Sequence, residues 1–278
     1  METGPCEARS VSRHIGDIMR LLLLALLLPL AGTLAACTST DYDLISTASI
    51  PPRFKDKDPQ DFGDKHPNKH NIHGIDVSKW QGDIDWPRVR QSGVSFAFIK
   101  ATEGKDVVDT RFDEYWRRAR AAGIPHAPYH FYYFCSTADQ QADWFIANVP
   151  KQAVMLPPVL DVEWNAESKT CRYRPSALTV QAELKRFMDR LEKHYGKRPI
   201  IYTTVDFHED RLVGAFNDYH FWLRSVAAHP EIRYGDRRWA FWQYTSTGVV
   251  PGINGNTDIN VFRGSAKNWN NWVAAVSK

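Results

Sequence analysis

Residues Leu156–Trp164 read LPPVLDVEW. The apolar run after the two prolines describes a buried strand. It ends in two carboxylates, Asp161 and Glu163, with Val162 between them. Strand side chains alternate faces, so the two acids point the same way, roughly 6–7 Å apart at the backbone. Acids are seldom set together behind an apolar strand without a partner or a task. Glycoside hydrolysis is one such task. It needs a proton donor for the leaving oxygen and an anion to stabilise or trap the oxocarbenium ion. The bland reading is that the acids cap the next helix or pair with Arg172 or Arg174. The stretch alone leaves both readings open.

Outward from it, strand and helix patterns alternate. Upstream lie a strand and Gly turn at His73–Gly82, a short helix at Trp86–Gly93 and a hydrophobic strand at Ser95–Gly104. A helix over Thr110–Gly123, an aromatic strand over Ile124–Phe134 and a helix over Thr137–Val149 follow, with Thr137 as N-cap. Downstream come a long amphipathic helix at Pro175–Tyr195 stopped by Gly196, a strand at Arg198–Thr204 and a short helix at Phe207–Phe216. The last third reads as strands at His220–Ala228, Arg238–Ser246 and Thr257–Gly264, then a closing helix at Lys267–Val276. Strand–helix alternation followed by strands predicts an α/β fold with a mostly parallel sheet. Several strands end in polar residues: Asp76, Glu103, His130, Asp161 with Glu163, and Tyr202 with Thr203. In a barrel of parallel strands those ends meet at one face, where active sites lie.

The 278-residue chain is 43% hydrophobic and 24% charged, which is ordinary for a globular protein. Ten Trp and eleven Tyr suit a core, and also a sugar cleft, because pyranose rings stack C–H faces on aromatic rings. A net charge of +3 is too small to argue for nucleic acid. No Gly-rich phosphate loop and no CxxC pair occur, and no metal or organic cofactor is implied.

The N-terminus reads as an export signal. Arg20 precedes the apolar run Leu21–Leu30, which is short of the roughly 20 residues a membrane span needs. LAAC at Leu34–Cys37 looks like a bacterial lipobox, with Cys37 lipidated and first in the mature chain. The alternative is ordinary cleavage after a small residue. Met19 is a plausible true start, and Thr38 after the cysteine points to the outer membrane, facing the periplasm. The expected organisation is a signal peptide over 1–36, a lipidated Cys and flexible tether over 37–71, and a catalytic domain over 72–278. His66 and His70 fall in the tether, with His73 just past it, and the three read as linker residues, not metal ligands. Export lets Cys135 and Cys171 pair as a disulfide; two separate thiols is the other reading.

The segments GIDVSKWQG, FIKATEG, PYHFYYF, LDVEW, IIYTT and WQYTSTGVVPGINGNTDINVF occur in order between His73 and Phe262. Together they resemble the family 25 glycoside hydrolases, the Chalaropsis-type lysozymes. The resemblance implies a modified TIM-like barrel, five β/α units followed by three further strands. It implies an N-acetylmuramidase whose partner is the peptidoglycan glycan strand. It carries Asp76, Asp161, Glu163 and Asp258 onto the family's acidic active-site positions, with Glu163 as general acid. Asp161 would attack the anomeric carbon or orient the substrate's N-acetyl group. Tyr129, His130, Tyr202, Trp242, Gln243 and Glu103 are candidates for sugar contact. Alternation forbids Tyr129 and His130, or Trp242 and Gln243, from both facing the cleft. Lys100 and Glu103 have a second reading, as a structural ion pair at the rim. Arg172, Arg174, Arg237 and Arg238 are candidates for a basic groove. One departure is FWLRSV at Phe221–Val226, which puts Arg224 and Ser225 where small residues are expected. A non-catalytic glycan-binding lipoprotein and a chitinase-like N-acetylhexosaminidase are the alternatives, and a monomer is expected.

Overall fold

The computed structural model describes residues 52–277. The expected signal peptide and lipobox, with Met19, Cys37 and Thr38, lie outside the described residues. The elements run β1 (Lys55–Asp56), β2 (His73–Val77), α1 (Trp86–Gln91), β3 (Val94–Glu103), β4 (Val107–Val108) and α2 (Phe112–Ala121). Next come β5 (His126–Phe131), α3 (Ala138–Asn148), β6 (Val159–Val162), α4 (Ala177–Tyr195), β7 (Ile200–Thr203) and α5 (Val205–Phe207). The chain closes with β8 (Phe221–Arg224), α6 (Pro230–Arg233), β9 (Phe241–Val249), β10 (Thr257–Phe262) and α7 (Ala266–Val276).

Local chemistry sets the helix ends. Asp85 accepts from the Arg88 amide at the start of α1. Thr137 and Gln140 cap α3 reciprocally, which satisfies two otherwise unpaired donors. Ser176 caps α4, and Gly196 ends it at φ 70°, a conformation open to glycine at little cost. Between those ends, Val180, Leu184, Phe187, Leu191 and Tyr195 bury one stripe of α4. The helix expected over Phe207–Phe216 is instead the single turn of α5 and a wider turn through Leu212.

Among the described residues, eight strands close into a barrel in the order β9-β10-β2-β3-β5-β6-β7-β8, and β8 pairs back onto β9. The pairs from β2 round to β9 are parallel. β10 is antiparallel to both of its neighbours. Two short extra strands, β1 and β4, add to β9 and β3.

Alternation splits the apolar residues into two layers. Phe96, Phe98, Trp222 and Phe241 fill the barrel, with Trp269 of α7 at one end. Phe98 and Trp222 meet at 4.3 Å between ring centroids. Gly74 makes room for this packing, since a Cβ there would lie 2.4 Å from the Phe96 ring. Ile75, Val77, Ile99, Leu160 and Ile201 point outward under the helices.

Residues 52–71 differ from the expected tether. β1 pairs with β9, Phe54 packs on His73, and Phe62 packs edge-on against Trp242 at 5.0 Å. Lys65 forms an ion pair with Glu231, and Pro67 is buried. This strap lies on the outer wall because its two phenylalanines find apolar surface there.

Candidate active site

The strand ends deliver acids to one mouth of the barrel. Asp76 on β2 stands directly opposite Asp258 on the antiparallel β10. Opposed residues on such a pair hold their Cβ atoms about 4.5–5.5 Å apart, so two carboxylates there repel. Asp161 on β6 pairs with Phe131 and Tyr202, both interior residues. Glu163 follows on the same face, just past the strand end. β6 lies three strands from β2 around the ring, which sets the two pairs of acids on different sides of the mouth.

Their environments pull the acids apart. Burial pushes the Glu163 carboxyl up to about 7; Arg224 opposes this and Asp206 adds to it. Burial and Asp76 raise Asp258 to about 8. Asp76 is also raised by burial, to about 6, but it accepts hydrogen bonds from Asn260 Nδ2 at 2.8 Å and Gln243 Nε2 at 2.9 Å. Those donors favour its ionised form. Asp161 is held well above the usual carboxylate range by burial and by Glu163. Its Oδ1 is buried with no hydrogen-bond partner among the described residues.

Glu163 sits between two hollows. One, of about 460 Å³, is lined by Glu163, Trp164, Asp206, Arg224 and Arg233 among others. The other, of about 210 Å³, is lined by Tyr133, Phe134, Arg172, Tyr173 and Arg174. Trp164 forms part of both walls. Its indole donates to Asp210 Oδ2 at 2.8 Å, and the guanidinium groups of Arg174 and Arg211 each lie 4.8 Å from the ring centroid. A disulfide joins Cys135 to Cys171, with Cα atoms 5.8 Å apart. It ties the loop after Glu163 to the loop after β5.

The other sequence candidates divide. Tyr202 belongs to the site: its hydroxyl donates to Gln243 Oε1 at 3.0 Å. Tyr129 is interior beside Trp222, and Asp76, Asp161 and Asp258 act on its hydroxyl. Glu103 is at the rim, where it pairs with Lys100 at 2.7 Å and accepts from the Tyr133 hydroxyl.

His130 is not in the cleft. Tyr129 takes the interior position, so alternation turns His130 to the helix layer. There its ring bonds Thr102 at 2.7 Å and Gln141 at 3.1 Å and stacks on Phe187. Trp242 also leaves the site, because Gln243 is the interior member of that pair. The Trp242 indole donates to the Ser225 carbonyl at 2.8 Å in the outer layer. Arg237 does not line the groove either. It is buried and holds the Leu212 and Ala215 carbonyls, His208 and Asn217.

Three further residues reach the site. Asn260 holds Asp76; its signal was its position two residues past Asp258, on the same strand face. Arg224 ends β8 and Asp206 sits in the turn of α5 after β7, with no carboxylate pattern to mark either, although Arg224 stood out as a departure.

The model of Glycosyl hydrolases family 25 matches residues 75–253. Lysozyme M1 of Streptomyces globisporus is 38% identical over 205 residues, covering 70% of this chain and 69% of that protein. The uncharacterized protein YegX of Escherichia coli strain K12 is 37% identical over 225 residues, covering 78% and 79%. The solved structure of a family 25 glycosyl hydrolase from Bacillus anthracis matches with a TM-score of 0.71 at 37% identity, covering 78% of this chain and 99% of that one.

Proposed function

The chain belongs to glycosyl hydrolases family 25, and from that premise we propose that it cleaves the β-1,4 bond between N-acetylmuramic acid and N-acetylglucosamine. It is a glycosidase of the lysozyme type, a peptidoglycan hydrolase. The observation that carries the proposal is Glu163: a buried carboxyl raised to about 7, lining a cavity two residues from a second acid. A carboxyl that still holds its proton near neutral pH can give it to a leaving glycosidic oxygen. A module that only bound glycan would have no use for that proton.

Asp161 lies on the same strand face as Glu163. From there its carboxyl would accept a hydrogen bond from the substrate's acetamido N–H and turn the acetamido oxygen toward the anomeric carbon. Asp76, held by Asn260 and Gln243, is the acid best kept ionised opposite the developing positive charge. Asp258 shares its proton economy and would hold a hydroxyl or water. Tyr129 and Tyr202 supply apolar faces for the sugar rings, and Trp164 walls the cleft beside Glu163.

The Leu34–Cys37 motif supports a lipid-anchored protein exported to the cell envelope, and Thr38 after the cysteine supports the outer membrane, facing the periplasm.

Digestion tests the activity. The purified full chain and Glu163→Gln are incubated with peptidoglycan, and soluble fragments are weighed after borohydride reduction. Disaccharide-peptides ending in reduced muramic acid, absent with the variant, are expected. A reduced N-acetylglucosamine end would move the cleaved bond. No fragments, with tight glycan binding by both proteins, would overturn the enzyme.

A further inference from the structure

Arg224 closes β8 on the interior face of the barrel, across from Gln243 of β9. Its side chain makes no hydrogen bond and no ion pair among the described residues. Its charge nonetheless acts on Asp76, Glu163 and Asp258. It is half-buried and lines the cavity of about 460 Å³ beside Glu163, which Arg233 also lines. The Arg224 guanidinium nitrogens are not sealed from that hollow, so its five donors are available to a ligand there. The planar fork matches a carboxylate, which it can hold through two parallel hydrogen bonds. The acids nearest it do not fill that role, since none comes within ion-pair distance.

We propose that Arg224 is a specificity residue that receives a carboxylate of the glycan next to the scissile bond. This rests on the peptidoglycan-hydrolase reading and deepens it. A neutral N-acetylhexosamine polymer offers no such group. A muramic-acid strand offers one in either of two places. It is the lactyl carboxylate where the peptide stem has been removed, or a stem carboxylate where it has not. The rival account is that Arg224 only offsets the surrounding acids, in which case substrate charge is irrelevant.

Four substrates separate these accounts: intact peptidoglycan, stem-stripped glycan with free lactyl carboxylates, and each of these after conversion of its carboxylates to methylamides. Wild-type full chain should cut at least one acidic form with a kcat/KM about tenfold above its amidated partner, mostly through KM. Preference within the stripped pair assigns the lactyl group, and preference confined to the intact pair assigns the stem. Arg224→Gln should abolish the ratio. Arg224→Lys keeps the charge without the fork and should retain part of it, which covers a Gln variant that fails to fold. Equal cleavage within both pairs by wild type, or an unchanged ratio in Arg224→Gln, overturns the proposal while leaving the hydrolase reading intact. No cleavage of any form overturns that reading instead.

Discussion

Gln243 donates from Nε2 to Asp76 Oδ2 at 2.9 Å, while its Oε1 accepts the Tyr202 hydroxyl at 3.0 Å. One amide therefore links β9, β2 and β7 across the barrel mouth. It also stabilises Asp76 as a carboxylate in a site where burial favours the neutral acid. Replacing Gln243 with Leu removes a donor from a buried acid, at a cost of about 1–3 kcal/mol. Asp76 should then titrate higher than about 6, and the acidic limb of kcat/KM against pH should move upward. A pH–rate profile checks this. An unmoved limb with lowered activity would mean that Gln243 acts by contact with substrate instead.

Glu163→Gln should lower kcat by about 10²–10⁴, the usual contribution of a positioned general acid. The fold should not suffer. A buried carboxyl raised to about 7 is already neutral over much of the acid range, and an amide keeps its shape. Thermal melting followed by circular dichroism should show an unchanged or higher midpoint. A large drop in midpoint would point to a structural role for the side chain.

Stability should fall as pH rises above neutrality. Glu163 and Asp258 are raised to about 7 and about 8, so the folded chain holds protons that the unfolded chain has released. Their contribution is complete below the unfolded carboxylate range and is lost as pH climbs through the folded values. Buried histidines act in the opposite sense. His73, His126, His130 and His208 are lowered to about 4 by burial, so their contribution is lost as pH falls below about 6.5. The clean window is therefore about pH 6.5–8.5, where the two acids should remove about 2–3 kcal/mol. Urea melts across that window test it, and Glu163→Gln should show a shallower decline. A flat profile in wild type would mean that neither acid is raised.

The disulfide should contribute stability through the loop it closes. Cys135 and Cys171 are 36 positions apart, which in the chain-entropy account gives about 3–4 kcal/mol. Cys135→Ser with Cys171→Ser should lower the unfolding free energy by up to that amount. Activity should fall as well, because the freed loop carries Arg172, Tyr173 and Arg174 along the smaller hollow beside Glu163. A lower midpoint with unchanged kcat and KM would separate the loop from the cleft.

Much of this site was legible in the chain because its strands are apolar runs that change abruptly to acids. A core strand has no need of Asp161 and Glu163, so their presence carried information. Facing was harder to read. Alternation allowed only one of Tyr129 and His130 into the cleft, and one of Trp242 and Gln243. Both faces of a barrel strand are buried, so hydropathy could not say which. Hydrogen bonds decided it: Thr102 and Gln141 satisfy His130 in the helix layer, and Asp76 and Tyr202 draw Gln243 inward. Closure of β8 onto β9 depends on backbone pairing that leaves no periodic trace. Arg224 ends β8 and Asp206 sits in α5, and both act on Glu163, which follows a strand distant from them in sequence.

The strap was the largest difference, and its consequence can be tested. Proline and charge dominate residues 52–71, and Phe54 and Phe62 are too sparse to produce a period. Phe62 nonetheless packs on Trp242, whose neighbour Gln243 holds Asp76. Phe62→Ala should therefore destabilise the fold, by less than the roughly 3–5 kcal/mol of a fully buried Phe because this ring is only partly covered. The pairing of β1 with β9 should loosen with it, and amide exchange at Lys57, whose N–H donates to the Thr247 carbonyl, and at Val249 should quicken. Exchange measured by mass spectrometry on wild type and variant checks this. Equal protection in both would mean that the strap is held by its backbone pairing and the Lys65–Glu231 ion pair alone.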